Sequence, residues 1–267
     1  MADKSFWDHL DVLRWVLIRC LAVAGALVVA IFCFKDFVFQ HIIFAPCADD
    51  FITYRAINRL GDLLSLPTLS IDVSQIELIN INLASQLMTH ISVSFYLAVV
   101  LAMPYIITEV WLFVKPALYS NELRPAVAAV VAFFFQFFLG LALAYFLIFP
   151  LTFQFLGTYQ VDARVVNQIS LSSYISSFLG LMFTMGLVFE MPIVAFFFAR
   201  IGVLKATFLR RYRKVAVIAV LMLAAFITPS TDVFTMLLVA LPLYLLYEFS
   251  RMVVTHVEKK HFADLSI

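Results

Sequence analysis

Long apolar stretches alternate with short polar ones along most of this chain, at the spacing of membrane crossings. A helix needs about 20 residues to cross roughly 30 Å of hydrocarbon. Stretches of that order run from about Trp15 to Phe39, Leu83 to Val114, Ala126 to Phe149 and Ser170 to Ala199. Two shorter ones, about Val215 to Ile227 and Asp232 to Phe249, are separated only by Thr228-Pro229-Ser230-Thr231. That separator reads as a helix stop, a turn, and then an N-cap at Asp232. Pro104 interrupts the second stretch, Pro150 closes the third and Pro192 lies inside the fourth. The expectation is an all-α polytopic membrane protein of six spans, the fourth kinked and the last two short. At 1.5 Å per residue the fifth span reaches only about 20 Å. Local thinning of the bilayer, or a turn below the far surface, accommodates it.

The polar segments between the spans carry their own pattern. Ahead of the first span, Phe6, Leu10, Leu13 and Leu17 share one helical face, with Asp8, Asp11 and Arg14 on another side. This segment reads as an interfacial helix leading into the membrane. A long outer loop, about Gln40 to Asn82, is acidic (Asp49, Asp50, Asp62, Asp72, Glu77) and is expected to hold a short helix around Phe51 to Leu64. A second outer loop covers about Leu151 to Ile169. All six spans belong to one integral membrane domain over residues 1–267. No internal repeat and no inverted pair of broken helices, the mark of many transporters, is visible.

Composition excludes a soluble domain. The 267 residues are 64% hydrophobic and 13% charged, with a mean hydropathy of +1.02, against about 45–50% and 25% for an average globular chain. A net charge of +1 points to no nucleic acid or other polyanion. Placement of the charges says more. Of 18 Lys and Arg, 14 lie in alternate gaps: Lys4, Arg14 and Arg19; Lys115 and Arg124; Arg200, Lys205, Arg210, Arg211, Arg213 and Lys214; and Arg251, Lys259 and Lys260. The other gaps hold Lys35, Arg55, Arg59 and Arg164. Basic residues accumulate in cytoplasmic loops, so both termini are expected in the cytoplasm and the number of spans is even. The mixed charges at the N-terminus, before a long apolar run, do not fit a cleavable signal. Three cysteines without paired spacing and five scattered histidines give no metal site. With no nucleophile elbow, Walker loop or His-Glu-x-x-His motif, neither an enzyme nor a cofactor is expected.

Glu190 is the clearest functional candidate. It lies ten residues before Arg200, about 15 Å along a straight helix and so near the midplane. Intramembrane acids are costly unless protonated, paired or facing water. Pro192, two residues on, cannot donate its N–H and frees the carbonyl of Val188. The Glu-Met-Pro run therefore couples a buried acid to a bend. Glu122 sits in the first cytoplasmic loop between Pro116 and Pro125, where a carboxylate can accept paired hydrogen bonds from a guanidinium or pair locally with Arg124 or Lys115. Asp232 reads as a helix cap.

The motifs together resemble one family. These are Phe-x-x-His9-Leu10…Leu13-Arg14, Glu109-Val-Trp111-x-Phe113-x-x-Pro116-Ala-Leu-Tyr119-x-x-Glu122, Gly186-x-x-Phe189-Glu190-x-Pro192, and Thr228-Pro229…Asp232 followed by Pro242-Leu-Tyr-x-x-Tyr-Glu248. They resemble the twin-arginine protein translocase subunit TatC over essentially the whole chain. The resemblance implies the receptor and core of a bacterial inner-membrane export pathway for folded proteins, driven by the proton-motive force. It also implies an oligomeric complex with single-span partners of TatA or TatB type, within membrane lipid. By resemblance, Glu122 contacts the paired arginines of the signal peptide, Glu190 carries over as the buried acid, and Thr228, Pro229 and Asp232 as the final turn. The family's N-terminal pattern is His-Leu-x-Glu-Leu-Arg-x-Arg, and here its glutamate is replaced by Val12 and its second arginine by Val16, while Arg14 matches the first. Asp11, about 100° away around the helix, or Asp8 is then left as the second acidic contact. The alternative is a proton-coupled secondary transporter in which Glu190 titrates.

Overall fold

A computed structural model describes residues 6–63, 76–115, 120–162, 164, 167–228 and 232–265, and the side chains of all of these except 6–9, 60, 114, 120–126 and 260–265. The order is α1 (Phe6–Cys33), α2 (Lys35–Val38), α3 (Ile52–Leu63), β1 (Glu77–Ile79), α4 (Ser85–Val114), α5 (Ser120–Leu143), α6 (Phe149–Thr158), β2 (Gln168–Ser170), α7 (Leu171–Val188), α8 (Met191–Arg200), α9 (Ala206–Arg211), α10 (Arg213–Ile227) and α11 (Val233–Leu265). Among the described residues, five helical stretches are long and apolar enough to cross a membrane: Leu10–Cys33, Ser85–Phe113, Val127–Thr158, Leu171–Arg200 and Val233–Lys259. At 15 residues, α10 is shorter than these.

Two compact units form. The first contains Met1–Ala45, Leu78–Phe134 and Ser170–Ile175. Its core is the packing of α1 on α4, tied at two levels. Arg19 Nη2 lies 2.9 Å from Glu109 Oε2. Farther along, the rings of Phe32 and His90 stack at 3.8 Å, and His90 Nε2 is 3.1 Å from the Phe32 carbonyl oxygen. Position rises on α1 as it falls on α4, so the two helices run antiparallel. The amphipathic segment expected to lead into the first span is continuous with it in α1. Its apolar residues keep the 3.6 period into the span, and no Pro or Gly separates the two.

The second unit contains Pro46–Glu77, Phe135–Ile169 and Ser176–Ile267. Here α11 packs on α8, α9 and α10. Glycines allow α5 and α7 to approach closely. A Cβ built on Gly140 would stand 2.8 Å from the Met185 carbonyl oxygen and from Phe189 Cβ, and one on Gly186 would meet Phe137 at 2.9 Å. Small residues at such crossings are a general device of membrane helices, where association depends on close packing.

Pro150 does not end the third span as its sequence suggests. The helix widens into a π-turn over Ala144–Ile148 and resumes as α6 with the proline at its start. A proline at 150 leaves the carbonyl of Phe146 without its helical donor. The Thr53 hydroxyl of α3 donates to that carbonyl. The Tyr54 hydroxyl, fully buried, lies 2.9 Å from the Pro46 oxygen and 3.2 Å from the Pro150 oxygen, and burial raises its pKa above the ordinary tyrosine range. The short helix expected near Phe51 to Leu64 is therefore the element that satisfies the broken backbone, and helix propagation past the proline depends on it. The last helix also differs from expectation. It runs on to Leu265 rather than stopping near Phe249, because Arg251 to Leu265 contains no Gly or Pro to halt it.

Thr53→Val removes the donor and leaves the Phe146 carbonyl without a partner beside an apolar phase, a loss of about 1–3 kcal/mol. Thermal unfolding of the purified variant in detergent should shift down, while Thr53→Ser stays close to wild type. Equal melting of the valine and serine variants would remove this hydrogen bond from the account.

Candidate functional site

The first unit carries three of the candidates, Asp11, Arg14 and Glu122. Asp11 and Arg14 are exposed on the first turns of α1. The Arg19–Glu109 pair sets the register, so these turns lie at the same end as the C-terminus of α4, from which the chain proceeds to α5. Glu122 is the third residue of α5 and therefore occupies the first turn of a helix rather than a loop. The positive end of the helix dipole favours a carboxylate at such a position. The side chains of Glu122 and Asp8 lie outside the described residues. No ion pair joins Asp11 to Arg14 among the described residues.

Sequence reasoning passed over Glu109 and Arg19 as a functional pair. Glu109 is 8% exposed, five residues from the end of α4, and its Oε1 also accepts the Tyr105 hydroxyl at 2.7 Å. Arg19 was counted only among the basic residues that orient the chain. The available signal was an acid and a base, each well inside an apolar stretch and each near the basic end. Charges in that position are held by partners.

Glu190 lies in the second unit, at the junction of α7 and α8. The helix is interrupted at Phe189–Glu190, with Pro192 in the first turn of the new segment. Glu190 N–H donates to the Leu187 carbonyl at 3.1 Å, and the Glu190 carbonyl accepts from Ile193 and Val194 at 3.0 and 3.1 Å. Its backbone is thus satisfied across the break. The side chain is not. Glu190 is 5% exposed, and neither carboxyl oxygen meets a hydrogen-bond donor among the described residues. The close crossing at Gly140 and Gly186 includes Phe189, the residue before Glu190. A charged carboxyl at membrane depth costs about 3 kcal/mol, which sets this side chain apart from a packing residue.

The turn residues occupy the junction of α10 and α11. Thr228 ends α10, its N–H donating to the Ala224 carbonyl at 3.0 Å. Asp232 Oδ1 accepts the Thr235 N–H at 2.8 Å and Oδ2 lies 2.5 Å from the Thr235 hydroxyl. This is N-cap geometry, with the third helical N–H satisfied by the side chain. Pro229 lies outside the described residues.

A second charged cluster, also unforeseen, stands between α10 and α11. Arg213 Nε is 2.7 Å from Glu248 Oε1, Arg251 Nη2 is 2.8 Å from Glu248 Oε2, and the Tyr244 hydroxyl donates to Glu248 Oε1 at 3.2 Å. One carboxylate thus binds two guanidiniums and holds the basic ends of the two helices together.

A family model described as Sec-independent protein translocase protein (TatC) matches residues 8–242. A Sec-independent protein translocase protein TatC from Blattabacterium sp. subsp. Periplaneta americana is 32% identical over 260 residues, 97% of each chain. One from Desulforapulum autotrophicum is 32% identical over 249 residues, 93% of this chain and 83% of that relative. Among solved structures, a crystal structure of the twin arginine translocase receptor TatC aligns with a TM-score of 0.67 and 29% identity, over 94% of this chain and 99% of that one. A second, of the twin arginine translocase receptor TatC in DDM, gives 0.69 and 31% over 92% and 98%.

The Arg19–Glu109 pair should behave as a unit. Arg19 is half exposed, so its contribution is well below the about 3–5 kcal/mol of a fully buried pair. Arg19→Gln alone is expected to destabilise by about 1–2 kcal/mol through the acid left behind. Arg19→Gln combined with Glu109→Gln should recover most of that loss. A thermal-melt double-mutant cycle giving additive losses would show that the two do not interact.

Proposed function

This chain belongs to the TatC family of Sec-independent protein translocase proteins, and we propose that it is the subunit that receives paired-arginine signal peptides and starts the export of folded cargo. Members of this family are components of a membrane translocase, and the five apolar helices make this chain a multi-pass protein of the bacterial inner membrane. The observation that carries the finer reading is the family match over residues 8–242, a range that includes the Pro-Ala-Leu-Tyr-x-x-Glu stretch ending at Glu122.

In this reading α10 is the fifth of six crossings. Its 15 residues reach about 22 Å, short of full hydrocarbon thickness, and the deficit is taken up by local thinning. An even count places both termini on the basic, cytoplasmic side. There Glu122 accepts one guanidinium of the signal peptide, with the fixed fork of an arginine suited to a carboxylate in a way a lysine is not. Asp11 or Asp8 supplies the second acceptor, in place of the family glutamate that Val12 replaces, and Arg14, which matches the family's first arginine, belongs to the same signal-peptide-binding segment. Glu190 and the bend at Pro192 receive a polar side chain from the membrane helix of a single-span partner of TatA or TatB type, within an oligomeric complex. The work is transport driven by the proton-motive force, not bond-making chemistry at a catalytic residue.

One observation favours a second reading. A buried carboxyl with both oxygens unpartnered would also serve a proton-coupled transporter of small solutes. That reading requires solute movement in vesicles containing this chain alone, whereas the translocase reading requires partner subunits.

Glu122→Ala should abolish crosslinking of a twin-arginine signal peptide and export of a folded reporter, with membrane insertion unchanged. A twin-lysine peptide should fail to crosslink to the wild type. Export that persists in Glu122→Ala would remove this residue from the recognition scheme. Glu190→Leu should reduce copurification of partner subunits by about tenfold while leaving signal-peptide crosslinking in place. Intact complexes and intact transport in that variant would refute the role given to Glu190.

A further inference from the structure

The basic end of α11 carries a cavity for which the translocase reading has no use. It has a volume of about 330 Å³ and is lined by Arg210 of α9 and by Arg251, Met252, Thr255, His256 and Lys259 of α11. From the start of α11 to Arg251 is 18 residues, about 27 Å of rise. The cavity therefore opens one hydrocarbon thickness along the helix, at the level of lipid headgroups.

Among the described residues its charge is unbalanced. Glu248, one turn away, is already shared between Arg213 and Arg251. Glu258 is turned to another task, its Oε2 accepting the Ala206 N–H at 3.1 Å and capping α9. Arg210 and Lys259 are exposed and form no ion pair among the described residues. The Nε–H of Arg251 is buried and meets no acceptor among the described residues. The Tyr247 hydroxyl donates to the Leu209 carbonyl at 2.6 Å, which fixes the helix bearing Arg210 against α11. The basic groups are thereby held around one space.

The surface leading to that space is apolar. Leu241, Leu245, Phe249 and Met252 are each at least half exposed, and their spacing of four, four and three places them on one face of α11. This stripe ends at Met252, which also lines the cavity. A ligand with an anionic head and long apolar tails matches both parts. We propose that this cavity binds the headgroup of a net-anionic phospholipid, its phosphate held among Arg210, Lys259 and the free Nε–H of Arg251, and its acyl chains lying along the Leu241–Met252 stripe. A free phosphate satisfies only the first part. Basic pockets between membrane helices at this depth are a recurrent setting for such lipids.

The test uses the full-length chain purified in neutral detergent and titrated with phosphatidylglycerol, with bound lipid counted by native mass spectrometry. Phosphatidylcholine of the same acyl chains, which differs chiefly by its cationic choline, is the control, and inorganic phosphate is the competitor. Arg210→Gln with Lys259→Gln removes two charges and leaves the Glu248 cluster intact. It should weaken phosphatidylglycerol binding about thirty-fold, each basic group at such a surface being worth about a factor of five. Arg210→Lys with Lys259→Arg should bind as the wild type does, and melting without lipid should be the same for all three. Equal binding of phosphatidylcholine, or no loss in the double glutamine variant, would overturn the proposal. Displacement of the lipid by inorganic phosphate at equal concentration would do so too, since it would assign the cavity to a free anion.

Discussion

Hydrocarbon offers no hydrogen bonds, and that one constraint governs this molecule. Every backbone donor and acceptor at membrane depth must find a partner inside the protein, and charged side chains there must be paired or kept for a purpose. Long helices meet the first demand automatically. The places where they cannot are where the structure becomes specific. At Pro150 the missing N–H is compensated by a π-turn and by the Thr53 hydroxyl reaching in from α3. At Pro192 the helix breaks outright, and the bonds around Glu190 close the gap on the backbone but not on its carboxyl.

The second demand divides the charges into two kinds. Glu109 is satisfied, by Arg19 and Tyr105, and Glu248 is satisfied, by Arg213, Arg251 and Tyr244. These clusters act as clasps between neighbouring helices. Glu190 has no such partner among the described residues, although it is as well buried as Glu109. Among the described residues the two acids thus differ in whether a cation or donor stands beside the carboxyl, rather than in exposure. The same logic makes the Arg210–Lys259 cavity the mirror image of Glu190, as excess positive charge held without its anion.

Much of the architecture was legible because hydropathy and proline spacing act locally. The apolar stretches, the short helix near Phe51 to Leu64, the cap at Asp232 and the interruption beside Pro192 each follow from residues within a turn or two. At Pro150 and at Glu109 the cause of the divergence between expectation and structure was not local. Pro150 is a stop signal by any short-range rule, and the helix passes it because Thr53 and Tyr54, about a hundred residues earlier, supply what the proline removed. Glu109 drew notice only as part of a motif, since nothing near it in sequence indicates that Arg19 faces it.

Sequence alone determined that the chain spans a membrane, which of its ends carry the positive charge, and, through matching motifs, the family to which it belongs. These are properties of windows of about 20 residues and of residue order, and they do not depend on which helix lies beside which. Tertiary structure decided which charges are clasps and which stand open, because pairing depends on the antiparallel register of α1 on α4 and on the docking of α9 and α10 against α11. It also decided how closely the helices bearing Gly140 and Gly186 approach, since a Cβ on either would collide with the neighbouring helix.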